Sequence, residues 1–163
     1  MIARNLIRSS RSLSKTTIGA NKAMSTLKLP DISWDFGDLE PVISAEIMEL
    51  HYTKHHQAYV TNGNLAMEKL AEATHNGDTA SIIAMQNAIK FNCGGHINHT
   101  IFWKNLASPK NGGGHLDSGE LRTMIENQWG DLETLQTTLS AATVAVPGNG
   151  WGWVGKDKAG KKL

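Results

Sequence analysis

Leu50-His51-Tyr52-Thr53-Lys54-His55-His56-Gln57-Ala58-Tyr59-Val60 is the stretch whose reading decides the fold. Wound as a helix, it sets His51, His55 and Tyr59 at i, i+4 and i+8, on one face. That face presents two imidazoles and a phenol in a row. A second stretch, Phe91 to Trp103, answers it with His96, His99 and Trp103 at i, i+3 and i+7. Two helices that carry imidazoles inward are a common way for a bundle to build a metal site. The spacing leaves a plainer reading open, because histidines on a half-apolar face also serve as hydrogen-bonded core or rim residues.

Working outward, Leu29 to Pro41 reads as an extended leading arm, with Trp34 and Phe36 as packing anchors. Ser44 is an N-cap for the first helix, and Glu46 complements the positive end of its dipole. Ile47, Leu50 and His51 open its inward stripe. Thr61-Asn62-Gly63-Asn64 is expected to weaken or kink it before Leu65–Ala73 continues. His75-Asn76-Gly77-Asp78 reads as a turn. Ile82, Met85 and Ile89 mark a second helix, which Cys93-Gly94-Gly95 should break before a third begins at His96. Ser108 to Gly114 is a loop, and Asp117-x-x-Glu120 resembles a capping box. Leu121, Met124, Ile125 and Trp129 stripe a fourth helix. Asp131 caps a fifth, with Leu132, Leu135, Leu139 and Ala142 inside. From Val144 to Val154 the pattern shifts toward period two and predicts a turn feeding a strand. Asp157-Lys158-Ala159-Gly160 predicts a hairpin turn.

The whole chain narrows the function classes. Its 163 residues are 40% apolar and 19% charged, enough for a packed core. No apolar run approaches the ~18 residues of a membrane span, so no membrane partner is expected. A single cysteine, Cys93, excludes an internal disulfide and fits a reducing compartment. The net charge of +1 conceals an asymmetry. Of the 16 basic residues, six lie in 1–30, where there is no acid, so 10 face 15 acidic residues beyond, a net of −5. A mildly acidic body gives no reason to expect nucleic acid. Residues 1–24, rich in Arg, Ser and Thr, have the composition of a mitochondrial transit peptide, which predicts the mitochondrial matrix.

Joined at their spacings, these blocks resemble the iron/manganese superoxide dismutases, most closely the mitochondrial manganese branch. The similar residues are Leu29-Pro30-Asp31, Leu39-Glu40-Pro41-Val42-Ile43, Glu46 to His51, Lys54 to Val60 and Lys90-Phe91-Asn92. They continue with Gly94 to Trp103, Asn111 to Gly114 and Gly148 to Trp153. The resemblance implies an α+β family fold: an N-terminal long helical hairpin over 25–110, then the helical start of a C-terminal α/β domain over 115–163. Most of that domain's three-stranded sheet would be missing. It implies His51 and His99 as metal ligands, His55 and Tyr59 as catalytic groups near the substrate funnel, and Trp103 and Trp151 as pocket walls. It also implies a manganese ion, with iron the less favoured cofactor, since iron enzymes commonly place glutamine where His96 stands. The activity implied is conversion of superoxide to dioxygen and hydrogen peroxide, by a homo-oligomer that is tetrameric in the complete family protein.

Departures from the pattern set the alternatives. The family's last two ligands lie in an Asp-x-Trp-Glu-His stretch that this sequence lacks, as is the glutamine that reaches metal-bound solvent. Cys93 stands where glycine is usual. Pro147, with no N–H to give, suits only a strand's first position. The alternative is therefore a truncated, non-catalytic form acting as a helical oligomerisation module. A two-helix carrier of Zn²⁺ or Ni²⁺ on His51 and His99 is a third reading. His75 and His115, in turns, are expected to be exposed bystanders.

Overall fold

The computed structural model describes residues 26–163; the expected transit peptide lies outside them. A short 3₁₀ turn, Phe36–Leu39, leads into α1, Ala45–Leu50. The helix then widens into a π-helical segment, His51–His56, and continues as α2, Gln57–Asn76. The Ser44 side chain accepts from the Ile47 N–H at 3.3 Å, so the predicted cap is present. Gly77 ends α2 in the left-handed conformation, φ 68°, which glycine adopts without a Cβ penalty. His75 sits in the last turn of α2, exposed, and the turn proper is reduced to Gly77 and Asp78.

Asp78 caps α3, Thr79–Lys104, through the Ser81 N–H and hydroxyl at 3.1 and 2.6 Å. This helix corrects the sequence reading. Cys93-Gly94-Gly95 does not break it, and the expected second and third helices are one rod of 26 residues. Two interior glycines cost roughly 1 kcal/mol each in helix propensity. The long antiparallel contact with α2 outweighs that, and Gly95 repays it locally. A Cβ there would stand 2.6 Å from the Tyr59 ring, so only glycine lets the phenol lie against the helix.

Gly63, likewise, does not kink α2. It is buried inside the helix, with the Leu27 side chain 2.8 Å from where its Cβ would be. The leading arm therefore crosses α2 at Gly63. Asn64 ties it down with both ends of its amide, accepting from the Leu27 N–H at 2.7 Å and donating to the Leu27 carbonyl at 3.0 Å. Tyr52 donates to the Pro30 carbonyl, and Phe36 packs on Tyr52 at 6.0 Å between centroids. Both expected anchors hold, since Trp34 donates its indole N–H to the Trp103 carbonyl at 3.3 Å.

Past a 3₁₀ turn at Pro109–Asn111 come α4, Glu120–Trp129, and α5, Leu132–Val144. The capping box at Asp117 does not form. Gly119 is the N-cap, with no side-chain bond, and Arg122 instead reaches back to the Leu116 and Asp117 carbonyls. Asp131 caps α5 as predicted, accepting from the Thr134 N–H at 2.7 Å. Ile125 and Leu135 are buried where the two helices meet, while Leu121 and Ala142 of the predicted stripes face outward. The predicted strand over Val144 to Val154 is absent, and no strand occurs among the described residues. Backbone N–H and C=O groups there find no neighbouring ladder, which a strand requires. The turn at Asp157 does form, its carboxylate accepting from the Lys161 and Lys162 N–H groups at 2.6 and 3.0 Å. No helix among the described residues is long and apolar enough to cross a membrane.

Candidate metal centre

Where the π segment crosses α3, aromatic and imidazole rings from both elements meet. His51 and His99 approach nitrogen to nitrogen, Nε2 to Nε2, at 3.0 Å. The hydrogen bond behind His99 fixes its state. Its Nδ1 lies 2.7 Å from the Gly95 carbonyl, which can only accept, so Nδ1 carries the proton and Nε2 offers a lone pair toward His51. A backbone carbonyl holding the outer N–H is the usual device for aiming a histidine at a metal. Two nitrogens each about 2.1 Å from one ion, near a right angle, stand about 3.0 Å apart. The pair therefore fits two adjacent positions around a cation.

His55 completes a triangle. Its ring centroid is 5.3 Å from that of His51 and 5.0 Å from that of His99, and those two are 5.0 Å apart. One ring nitrogen from each of the three falls within 4.8 Å of the others. No carboxylate joins the group among the described residues. Tyr59 meets His55 edge-on at 5.1 Å and lies against His99 at 5.2 Å. So the structure brings together all four expected site residues, His51, His55, Tyr59 and His99. His115 is exposed and apart from them.

Beneath the triangle lies a polar chain that sequence reading missed. His56 is fully buried. Its Nδ1 accepts from the Trp103 indole N–H at 2.8 Å, so its Nε2 carries the proton and donates to His96 Nδ1 at 2.9 Å. His56 also stacks on His99, 5.3 Å between centroids and 28° between planes. The helix winding explains the omission. An α-helix puts only i+4 beside His51, whereas the i→i+5 turn of a π segment brings i+5 beneath it as well. The doublet His55-His56 was the available signal.

Burial keeps this cluster neutral. Desolvation, reinforced by His99 and His55, lowers His51 to about 4. Desolvation, with His96 and His99 adding, lowers His56 to about 4. His96 and His99 are lowered too, chiefly by desolvation. Neutral imidazole is the form that binds metal, so no proton has to be displaced from these rings near neutral pH.

Two hollows adjoin the centre, and one of about 490 Å³ is lined by Ile47, Leu50, His51, Lys54 and His55. A cleft of about 320 Å³ opens beside Tyr59, lined by Lys90, Phe91, Gly95, Asn98 and Trp151. Trp151 stands edge-on to His99 at 5.0 Å and stacks on Trp153 at 5.5 Å, so it walls the centre from the C-terminal side. Trp103 closes the opposite side, edge-on to His51 at 5.0 Å.

Comparison with known proteins places this arrangement. Residues 26–107 match the alpha-hairpin domain of the iron/manganese superoxide dismutases, and residues 117–163 match the C-terminal domain of the same family. The chain is 51% identical over 142 residues to superoxide dismutase [Mn] 1, mitochondrial, of Arabidopsis thaliana, covering 87% of this chain and 62% of that one. It is 55% identical over 127 residues to a superoxide dismutase [Mn], mitochondrial, of Charybdis feriata, covering 78% and 55%. A similar protein of Onchocerca volvulus is 46% identical over 150 residues, covering 90% and 66%. The chain thus spans about three fifths of the length of these relatives. With both domains matched in order and half of the aligned residues shared, the chain belongs to the iron/manganese superoxide dismutase family.

Proposed function

We propose that this chain works in superoxide dismutation with manganese as its redox metal, His51 and His99 being two of the ligands. The observation that carries this is the Nε2 pair at 3.0 Å, with His99 held in the metal-ready tautomer by the Gly95 carbonyl. A bound manganese ion would supply the one-electron exchange that turns one superoxide into dioxygen and the next, with two protons, into hydrogen peroxide. The chain's own residues would do the rest. Tyr59, in the wall of the cleft, and His55, edge-on to it at 5.1 Å, would act on a small anion that approaches the centre. Trp103 and Trp151 narrow the pocket, and the chain from Trp103 through His56 to His96 keeps the ligand rings neutral and oriented.

Relatives named mitochondrial support a matrix location, with residues 1–24 as the leader, 25–110 as the helical-hairpin domain and 115–163 as part of the C-terminal domain. Ile83, 61% exposed on α3, and half-buried Ile82 would lie in a contact between copies, as expected of a homotetramer. One observation favours a weaker activity for the chain by itself: the described residues bring no carboxylate to the imidazoles. A carboxylate helps to hold the higher oxidation state. The experiment measures manganese content and superoxide removal for the 163-residue chain and for a chimera carrying the remaining C-terminal portion of the Arabidopsis thaliana relative. The chimera should load manganese and turn over, the short chain poorly. His99→Ala in the chimera should lose the metal, and full loading of that variant overturns the assignment.

A further inference from the structure

We propose that His56 is a positioning residue locked in one tautomer, which supports His51 and His99 from behind by the direction of its two hydrogen bonds and passes no proton to them. The inference rests on the His51–His99 reading above and adds the part played by the ring beneath that pair.

His56 is fully buried and Trp103 is 3% exposed, so neither ring turns to water for a partner. His56 Nδ1 faces the Trp103 indole N–H at 2.8 Å, and its Nε2 faces His96 Nδ1 at 2.9 Å. An indole can only donate, so Nδ1 accepts and Nε2 donates. The other tautomer sets two N–H groups against each other, a buried mismatch that carries the cost of an unmade hydrogen bond. A proton relay through this ring fails for the same reason. To hand its proton to His96 and recover one, His56 needs a neighbour at Nδ1 that can give a proton away. The indole N–H does not ionise near neutral pH. The direction of the bonds is therefore the property in use.

His56 reaches both proposed ligands. Its ring stacks on His99, 5.3 Å between centroids and 28° between planes. Its Nδ1 holds the Trp103 indole, whose ring meets His51 edge-on at 5.0 Å. Trp103 is held from its other end too. Its carbonyl accepts from the Trp34 indole N–H at 3.3 Å, and the two indoles pack at 6.0 Å. The leading arm, Trp103 and His56 thus form one line of support behind His51 and His99. Without an acceptor at position 56, the buried indole N–H is unpaired and has to shift toward another partner, and the surface behind His51 moves with it.

Glutamine at position 56 separates direction from proton transfer. Its planar amide carries an acceptor and a donor, as the locked imidazole does, and it does not titrate. Leucine is apolar and offers neither.

The test makes His56→Gln and His56→Leu in the 163-residue chain and in the chimera. Long-range ¹H–¹⁵N spectra of the unaltered short chain near neutral pH should show His56 protonated at Nε2 and bare at Nδ1. The Trp103 indole proton should be shifted by its bond and slow to exchange. His56→Gln should keep that indole signature and keep His99 protonated at Nδ1, whereas His56→Leu should lose both. In the chimera, His56→Leu should lower manganese content or superoxide removal by about 10-fold or more, and His56→Gln should keep the larger part of both. Circular dichroism checks the helices, and where His56→Leu fails to fold, the unaltered chain and His56→Gln decide. A His56 ring protonated at Nδ1 overturns the proposal. So does a His56→Gln variant as impaired as His56→Leu, or a His56→Leu variant that matches the unaltered chain. The spectra need no metal, so this role and the ligand reading, which falls if His99→Ala loads fully, can fail separately.

Discussion

The helical hairpin and the C-terminal stretch use similar residues and reach different ends. In the hairpin, α2 and α3 run against each other, and the rings at their crossing bury His56 and Trp103 almost completely. Each polar atom there has a partner, so burial costs little. Val144, the last residue of α5, is 85% exposed, and in the stretch after it Trp153 and Val154 are 45% and 42% exposed. The sequence there is as apolar as a buried strand, yet no neighbouring backbone completes a ladder. Apolar residues alone do not specify a strand, because the ladder bonds have to come from somewhere. A helix supplies its own backbone bonds, so the hairpin's rods form from within the described residues, and a strand over the last stretch does not.

The strongest way to break this comparison is to empty the hairpin's centre. Trp103→Ala removes a buried ring and leaves His56 Nδ1 without its donor. The expected loss is about 3–5 kcal/mol. Trp153→Ala should cost about 1 kcal/mol or less, since that residue is 45% exposed and stacks on Trp151, itself outside the hairpin. Urea unfolding followed by circular dichroism reads both. Equal losses would mean that the C-terminal stretch is as much part of the core as the hairpin.

A smaller effect sharpens the role of the glycine pair in α3. Gly95→Ala puts a methyl group 2.6 Å from the Tyr59 ring and should cost about 1–3 kcal/mol while displacing the phenol from the cleft. Gly94→Ala meets nothing within 4 Å and should gain up to about 1 kcal/mol from helix propensity. Opposite signs at adjacent positions, read from thermal melts, would show that contact with Tyr59, and not helix propensity, is what requires glycine at 95.

Sequence reading reached the site better than it reached the rods that carry it. His51, His55, Tyr59 and His99 share helix faces, and a periodic pattern exposes that directly. Propensity is local, so it reads Gly63 as a kink and Gly94-Gly95 as a break. The Leu27 and Tyr59 side chains that occupy the space beside Gly63 and Gly95 come from distant positions. His56 stayed hidden because its placement depends on a π turn, which an α-helical template does not contain. The strand over Val144 to Val154 was expected from alternation, a pattern that fits a strand only when a sheet receives it.

The smallest effect separates the two regions by pH. His51 and His56 are lowered to about 4 in the folded chain, from about 6.5 unfolded. The groups facing His56 are His96, His99 and His51, all imidazoles, so none offers a negative charge to offset protonation. The unfolded chain takes up protons first. The hairpin's stability is thus complete above about 6.5, falls as pH drops toward about 4, and levels off below that. The C-terminal helices carry the reverse kind of group. Asp131 and Asp157 are lowered by the backbone N–H groups they cap, and Glu120 is lowered by its bond to Lys156. Those contributions are present above the unfolded carboxylate range, near 4, and are lost only as pH falls through the lowered folded values. All three are fully exposed and their effect is slight. Amide spectra of the EDTA-treated chain between pH 7 and 3, with a constant low urea concentration, follow Val60 and Ala66 for the hairpin and Leu135 for α5. The hairpin amides should weaken between about 6.5 and 4 while Leu135 holds until below about 4. Loss of both sets in a single window would make the two regions one cooperative unit and remove the distinction drawn between them.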